Sequence, residues 1–150
     1  MADRGKVYVI DDDEAMRDSL DFLLGSAGFQ VALFESAHHF LDKLSSVGFG
    51  CIVSDVRMPE VDGIELLKRL KASLSVLPVL IMTGHGDVPL AVEAMKLGAI
   101  DFLEKPFEDD RLIGMIDVRL GRRKPVQEAK RPPSRLLPAS RRSVLANVRL

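Results

Sequence analysis

The chain has 150 residues, 47% of them hydrophobic, with 21 basic and 22 acidic side chains, apolar enough for a real core and against wholesale disorder. The near-neutral sum hides a split, because residues 1–118 hold 11 Lys+Arg and 21 Asp+Glu whereas residues 119–150 hold 10 and 1. The lone Cys51 excludes a disulfide framework or a cysteine-based zinc site, and no apolar run nears the roughly 20 residues that span a bilayer.

Val7-Tyr8-Val9-Ile10 predicts the first strand, apolar at every position as expected of a parallel strand covered on both faces. Leu20, Leu23, Leu24 and Ala27 then line one face of a first helix that Gly28 closes. Gln30-Val31-Ala32-Leu33-Phe34 predicts a second strand. Phe40, Leu41 and Leu44 mark a second helix with Ser36 as its N-cap. Cys51-Ile52-Val53 predicts the third strand, and Ile64, Leu66, Leu67 and Leu70 mark a third helix after Asp62-Gly63. Val79-Leu80-Ile81-Met82 predicts the fourth strand. The fourth helix bears Leu90, Ala91, Ala94, Met95 and Leu97, with Asp87 as cap, Pro89 in its first turn and Gly98 as its stop. Ile100-Asp101-Phe102-Leu103 predicts the fifth strand, and Leu112, Ile113, Ile116 and Leu120 a fifth helix capped from Asp109 or Asp110.

Five βα units in residues 1–118 imply an α/β fold with an open, doubly wound parallel sheet. Its compact, flavodoxin-like form has five strands in the order 2-1-3-4-5 and five helices. Ligands of such sheets bind outside the carboxyl ends of the strands, beside the point where the winding reverses. Polar residues gather there. Strand one runs into Asp11-Asp12-Asp13, strand three into Asp55, strand four into Thr83 and strand five into Lys105.

Asp11, Asp12 and Asp55 place three carboxylates at the edge of adjacent strands, where they repel unless a cation sits among them. Oxygen ligands without His or Cys suit a hard cation, and a few carboxylates plus water suit Mg²⁺ better than a full Ca²⁺ cage. A divalent metal, the Lys105 ammonium and the Thr83 hydroxyl around one carboxylate form a phosphoryl-transfer environment. That carboxylate can itself be the nucleophile, giving an aspartyl phosphate. Plainer readings apply to the residues singly: Asp13 reads as a helix cap, Lys105 as a surface lysine, and His39 and His85 as helix-surface and loop residues. The conjunction at four strand ends is what carries weight.

Val-Ile-Asp-Asp-Asp-Glu (9–14), Val-Ser-Asp-Val-Arg-Met-Pro (53–59) with Asp62-Gly63, Met-Thr-Gly-His-Gly-Asp-Val (82–88) and Asp-Phe-Leu-Glu-Lys-Pro-Phe (101–107) resemble the receiver domain of two-component response regulators. The later blocks, with Ala-Val-Glu-Ala-Met-Lys (91–96), are most similar to its FixJ-type branch. The resemblance implies a receiver domain over residues 1–120, with Asp55 as phosphoacceptor. It implies Asp12 as a direct Mg²⁺ ligand, Asp11 acting largely through water, and the Arg57 backbone carbonyl as a further ligand, with Mn²⁺ able to substitute. It also implies Thr83 as the switch hydroxyl, Lys105 as the lysine that pairs with the phosphoryl group, a cis Lys105–Pro106 peptide, and Phe102 as an aromatic switch. A sensor histidine kinase is the implied partner. The helix 4–strand 5–helix 5 face, with Val92, Lys96 and Arg111, is the implied phosphorylation-dependent dimer surface.

A second resemblance, to the haloacid-dehalogenase phosphatases, would make Asp11 the nucleophile and Asp13 the general acid, with Thr83 and a later lysine. It leaves Asp55 with no role, and its second acidic pair would have to be Asp109-Asp110, which follow a loop. Residues 121–150 read as a basic tail in which Pro125, Pro132, Pro133 and Pro138 prevent long helices. FixJ-type regulators continue into a helix-turn-helix domain, and Ser-Arg-Arg-Ser-Val-Leu-Ala (140–146) faintly resembles its opening helix. The expectation is a stand-alone receiver with an extension, or a truncated or frame-altered relative. A solvated tail is preferred over weak, salt-sensitive nucleic-acid contact. The start, Met-Ala-Asp-Arg-Gly-Lys, leads into a run of only four apolar residues before Asp11, too few for a signal-peptide core, so a cytoplasmic setting without membrane contact is expected. The expected function is a phosphorylation switch with self-catalysed chemistry, not a metabolic enzyme, that regulates transcription directly or indirectly.

Overall fold

In the computed structural model of this chain the described residues are 4–121. The expectations for the basic tail, its prolines and the 140–146 segment therefore lie outside the described residues. The elements run β1 (Lys6–Ile10), α1 (Glu14–Ser26), β2 (Gln30–Phe34), α2 (Ala37–Asp42), a 3-10 turn (Leu44–Ser46), β3 (Cys51–Asp55), α3 (Gly63–Ala72), β4 (Val79–Thr83), α4 (Val88–Lys96), β5 (Asp101–Glu104) and α5 (Asp109–Arg119). All the strand pairs are parallel, in the order β2-β1-β3-β4-β5. This is the doubly wound α/β sheet that the alternating pattern predicts.

The period-two geometry of each strand divides the core in two. Val7, Val9 and Val53 pack with Leu20 and Leu24 of α1 and Leu112 and Ile116 of α5. Tyr8, Ile10 and Ile52 pack on the opposite face with Phe40 of α2, Leu66, Leu67 and Leu70 of α3, and Ala94 of α4. Both faces of β1, β3 and β4 are thus covered, which is why these strands tolerate no polar interruption until their carboxyl ends. Cys51, at the start of β3, is fully buried, and desolvation pushes its thiol up to about 12.

The element ends follow their caps. Asp13 accepts from the Ala15 and Met16 N–H groups, Ser36 from His39, and Asp62 from Glu65, so these three side chains cap α1, α2 and α3. Several boundaries differ from the sequence expectations: β4 closes at Thr83, β5 runs Asp101–Glu104 without Ile100, and α5 ends at Arg119, before Leu120. The second helix stops at Asp42, and Leu44 belongs to the 3-10 turn. Strand β3 extends through Asp55, and the Val56 N–H still bonds to the Met82 carbonyl at 3.0 Å. Backbone pairing there outlasts the apolar side chains. The N-cap of α5 is Glu108, whose extended backbone leaves Asp109 and Asp110 in the first turn, where they complement the helix dipole. Asp87 stands at the N-cap of α4 but makes no capping bond with its side chain.

Gly63 ties the fold to the carboxyl edge. It opens α3 pressed against the loop after β3, so that a Cβ there would sit 2.9 Å from Val56 Cα and 3.0 Å from the Asp55 carbonyl oxygen. Both neighbours are backbone and cannot rotate away. Gly63→Ala is therefore expected to lower stability by about 1–3 kcal/mol, read as a lower urea midpoint at unchanged slope. An unchanged midpoint would show that the loop yields freely.

Candidate functional site

Because the sheet is parallel, the residues that end β1, β3, β4 and β5 all emerge at one edge. The Asp11 N–H bonds to the Phe34 carbonyl at 3.1 Å, which holds the chain in line just beyond β1. Its side chain is buried. Oδ1 accepts from the Asp13 N–H at 3.0 Å, whereas Oδ2 has no hydrogen bond and lies 3.7 Å from Lys105 Nζ. Asp55 is the last residue of β3, and its Oδ1 accepts from the Val56 N–H at 3.1 Å and from Lys105 Nζ at 3.4 Å. The one ammonium thus serves two carboxylates from adjacent strands. Lys105 is itself anchored by its backbone N–H, which donates to the Thr83 carbonyl at 2.8 Å, and the peptide joining it to Pro106 is cis.

Burial is the main reason that the carboxyl groups of both Asp11 and Asp55 are raised above the usual aspartate range. For Asp55 the negative charge of Asp11 adds to this, while Lys105 opposes it. Lys105 alone leaves the pair under-compensated. Asp12 is exposed, yet it brings a carboxylate oxygen within 4.8 Å of ligand oxygens on Asp11 and Asp55. An all-oxygen cluster with one buried, unbonded oxygen matches the preference of a hard divalent cation such as Mg²⁺. These three residues fit the metal that the sequence implies.

Thr83 closes β4 and is fully buried, with a hydroxyl that lacks a hydrogen-bond partner. Buried hydroxyls are ordinarily bonded, so this one marks the site as poised for another acceptor. The register pairs Ile81 with Phe102 and Thr83 with Glu104. Thr83 therefore shares a sheet face with Ile81 and Phe102, the face that α4 covers, and Phe102 is half-buried against that side of the core.

The remaining candidates lie elsewhere. Asp13 is turned to its capping role, and Val92, Lys96 and Arg111 are exposed on α4 and α5. His39 sits on the surface of α2 with its ring at the edge of Phe34, 5.6 Å between centroids. His85 is exposed in the β4–α4 loop, its Nδ1 3.5 Å from Glu104. The Arg57 side chain points to Asp87, and each raises the other's preference for charge: the arginine is pushed up and the aspartate down. Sequence reasoning did not single out Glu104, which also accepts from the Gly86 N–H at 3.4 Å, and it read Asp87 only as a cap. An acidic residue one position before Lys105 was the only signal for Glu104. Nothing local marked a partner for Asp87 30 residues earlier.

The family model for the response regulator receiver domain matches residues 7–117. The transcriptional regulatory protein FixJ of Bradyrhizobium diazoefficiens is 66% identical over 130 residues, covering 87% of this chain and 63% of that protein. The crystal structure of full-length FixJ from B. japonicum has a TM-score of 0.78 at 66% identity, covering 86% of this chain and 64% of that one. The structure of FixJ-N has a TM-score of 0.76 at 46% identity, covering 81% of this chain and 96% of that one. This chain thus spans less than two thirds of the full-length relatives it matches.

The raised carboxyls make a linked prediction. A carboxyl raised on folding favours the folded state at low pH, and that advantage is lost as pH rises through its folded value. In metal-free buffer at pH 7, Asp11→Asn is expected to raise the urea midpoint, with the gain shrinking as the pH falls through the carboxylate range. Mg²⁺ should stabilise the unmutated chain, by about 2.7 kcal/mol at a hundred times its dissociation constant, and should not stabilise Asp11→Asn to that extent. Equal Mg²⁺ stabilisation of both proteins would remove Asp11 from the metal site.

Proposed function

This chain belongs to the response regulator receiver domain family, and we propose that it takes a phosphoryl group from a sensor histidine kinase onto Asp55. The observation that carries this is Lys105 Nζ, 3.4 Å from Asp55 and 3.7 Å from Asp11, beside the unbonded Thr83 hydroxyl. An Asp55 oxygen attacks the phosphorus of a phosphohistidine, the P–O bond forms as the P–N bond breaks, and the imidazole leaves with its proton restored. Lys105 offers its ammonium to the transferred oxygens as the charge on Asp55 becomes a phosphoryl charge. Asp11, Asp12, Asp55 and the Arg57 carbonyl would hold Mg²⁺ or Mn²⁺, which would supply further positive charge beside the phosphoryl oxygens. The same residues later admit water, so the aspartyl phosphate hydrolyses slowly and the chain resets without a separate active site.

Thr83 donates its hydroxyl to a phosphoryl oxygen, and the space it leaves on the α4-covered face admits the ring of Phe102. The helix 4–strand 5–helix 5 face then presents Val92, Lys96 and Arg111 to a second copy of the chain. Relatives named as transcriptional regulatory proteins support an output in transcription, direct or indirect. None of the described helices is long and apolar enough to cross a membrane. The phosphatase-like reading is disfavoured because Asp13, its general acid, caps α1, whereas Asp55 stands beside the lysine.

With acetyl phosphate and a divalent metal, Asp55→Asn is expected to abolish phosphoryl incorporation measured by intact-protein mass, and Asp11→Asn to weaken it. Lys105→Ala should slow it by about a hundredfold, in the range for loss of one preorganised charge donor. Loss with Asp11→Asn and survival with Asp55→Asn would overturn the assignment. Sedimentation should show a phosphorylation-dependent dimer that Val92→Asp prevents. A monomer under full phosphorylation would remove the dimer from the reading.

A further inference from the structure

The loops after β3 and β4 are joined by a contact that phosphoryl transfer itself does not use. Arg57 Nε donates to Asp87 Oδ2 at 2.9 Å, and Nη2 donates to Oδ1 at 2.9 Å. This is a bidentate guanidinium–carboxylate pair, the most directional ion pair that two side chains form. Arg57 lies two residues beyond Asp55. Asp87 lies at the N-cap of α4. Asp13, Ser36 and Asp62 all have extended backbone and cap their helices with side-chain oxygens, whereas Asp87, of the same chemistry and at the same position, has φ −96° and ψ 25° and makes no capping bond. Its carboxylate is engaged by Arg57 and by the Gly84 backbone instead. Leu90, the donor left to a capping carboxylate because Pro89 has no N–H, bonds to the Asp87 backbone carbonyl at 3.0 Å.

Space for movement lies beside the pair. A cavity of about 390 Å³ between the β3–α3 loop and α4 is lined by Arg57, Met58, Asp62, Ile64 and Leu90 among others. Across the loop, Gly86 adopts φ +89° with open space where a Cβ would sit, and its N–H donates to Glu104 at 3.4 Å.

We infer that the Arg57–Asp87 pair is a latch that holds the head of α4 to the β3–α3 loop and keeps Asp87 from capping that helix until a phosphoryl group on Asp55 draws Arg57 away. The release step rests on phosphorylation of Asp55 as proposed above, and the resting latch does not. Arg57 already feels the Asp55 charge. Phosphorylation there adds about one further negative charge and oxygens that accept a guanidinium in bidentate fashion. Arg57 then has two competing acceptors, and Asp87, when released, has a second use at the first turn of α4. An exposed ion pair and a helix cap are of similar strength, so the exchange is nearly balanced and a modest change in charge moves it. The latch thereby links the phosphoacceptor loop to α4 along a route separate from Thr83 and Phe102.

Residue-resolved amide exchange by NMR on the full chain tests this, with and without acetyl phosphate and Mg²⁺. Without the phosphodonor, Arg57→Gln is expected to speed exchange at residues 84–87 by roughly twofold to fivefold, the bias an exposed pair exerts. In the same variant the Leu90 amide should exchange more slowly, because Asp87 is free to cap. Asp87→Ala should speed both, and the double variant should match Asp87→Ala. Phosphorylated unmutated chain should show the Arg57→Gln pattern. Exchange in Arg57→Gln identical to the unmutated chain would overturn the latch. Unchanged exchange in a chain whose mass shows the phosphoryl group would overturn its release. Failure of the mass to rise would overturn the release step together with the receiver reading, while the unphosphorylated variants still decide the resting latch.

Discussion

Two desolvated carboxylates at the ends of neighbouring strands, one buried and one partly so, share one lysine, and the organisation of the carboxyl edge follows from that shortage of positive charge. Asp11 and Asp55 are both held in surroundings that disfavour their ionised forms, and Lys105 reaches each at a distance too long for a tight pair. Such an arrangement destabilises the fold at neutral pH and makes the edge receptive to a cation or to chemistry that redistributes charge. The apolar layers on either face of β1, β3 and β4 supply the stability against which this local cost is set. The same layers fix the three strand ends rigidly enough for the strain to persist.

The two faces of the sheet have different relations to the site. The side with α1 and α5 is filled by aliphatic side chains that pack Val7, Val9 and Val53. The side with α3 and α4 receives Thr83 and Phe102, has a cavity next to Leu90, and carries the exposed apolar residues Val88, Val92 and Met95 on α4. Thr83 and Phe102 lie together because parallel register places alternate residues of β4 and β5 on a shared face.

The fold and the chemical centre were legible in the sequence for the same reason. Strands buried on both faces are apolar until they near their carboxyl ends, so the polar residues that close the runs of β1, β3 and β4 mark that edge. Asp11, Asp55 and Thr83 were therefore legible from the pattern, whereas Lys105, which follows Glu104, was legible from the motif around Lys105-Pro106. Helix boundaries were less legible where two acidic residues competed, as at Glu108, Asp109 and Asp110. The local pattern does not say which backbone stays extended. The Arg57–Asp87 pair was illegible because each residue had a satisfactory local account, and only the spatial approach of two loops joins them. Glu104 was hidden similarly, since its partners, the Gly86 N–H and His85, lie in the loop after the neighbouring strand.

Cys51 has a practical corollary. It is the single cysteine of the chain, fully buried at the start of β3, with a thiol that stays protonated far above physiological pH. Alkylating reagents attack thiolates, so this side chain is chemically silent in the folded protein. A cysteine placed on an exposed position of α4 would then be the sole reactive handle on the molecule. A spin label or fluorophore attached there would report the movement of that helix from a uniquely modified, otherwise native chain.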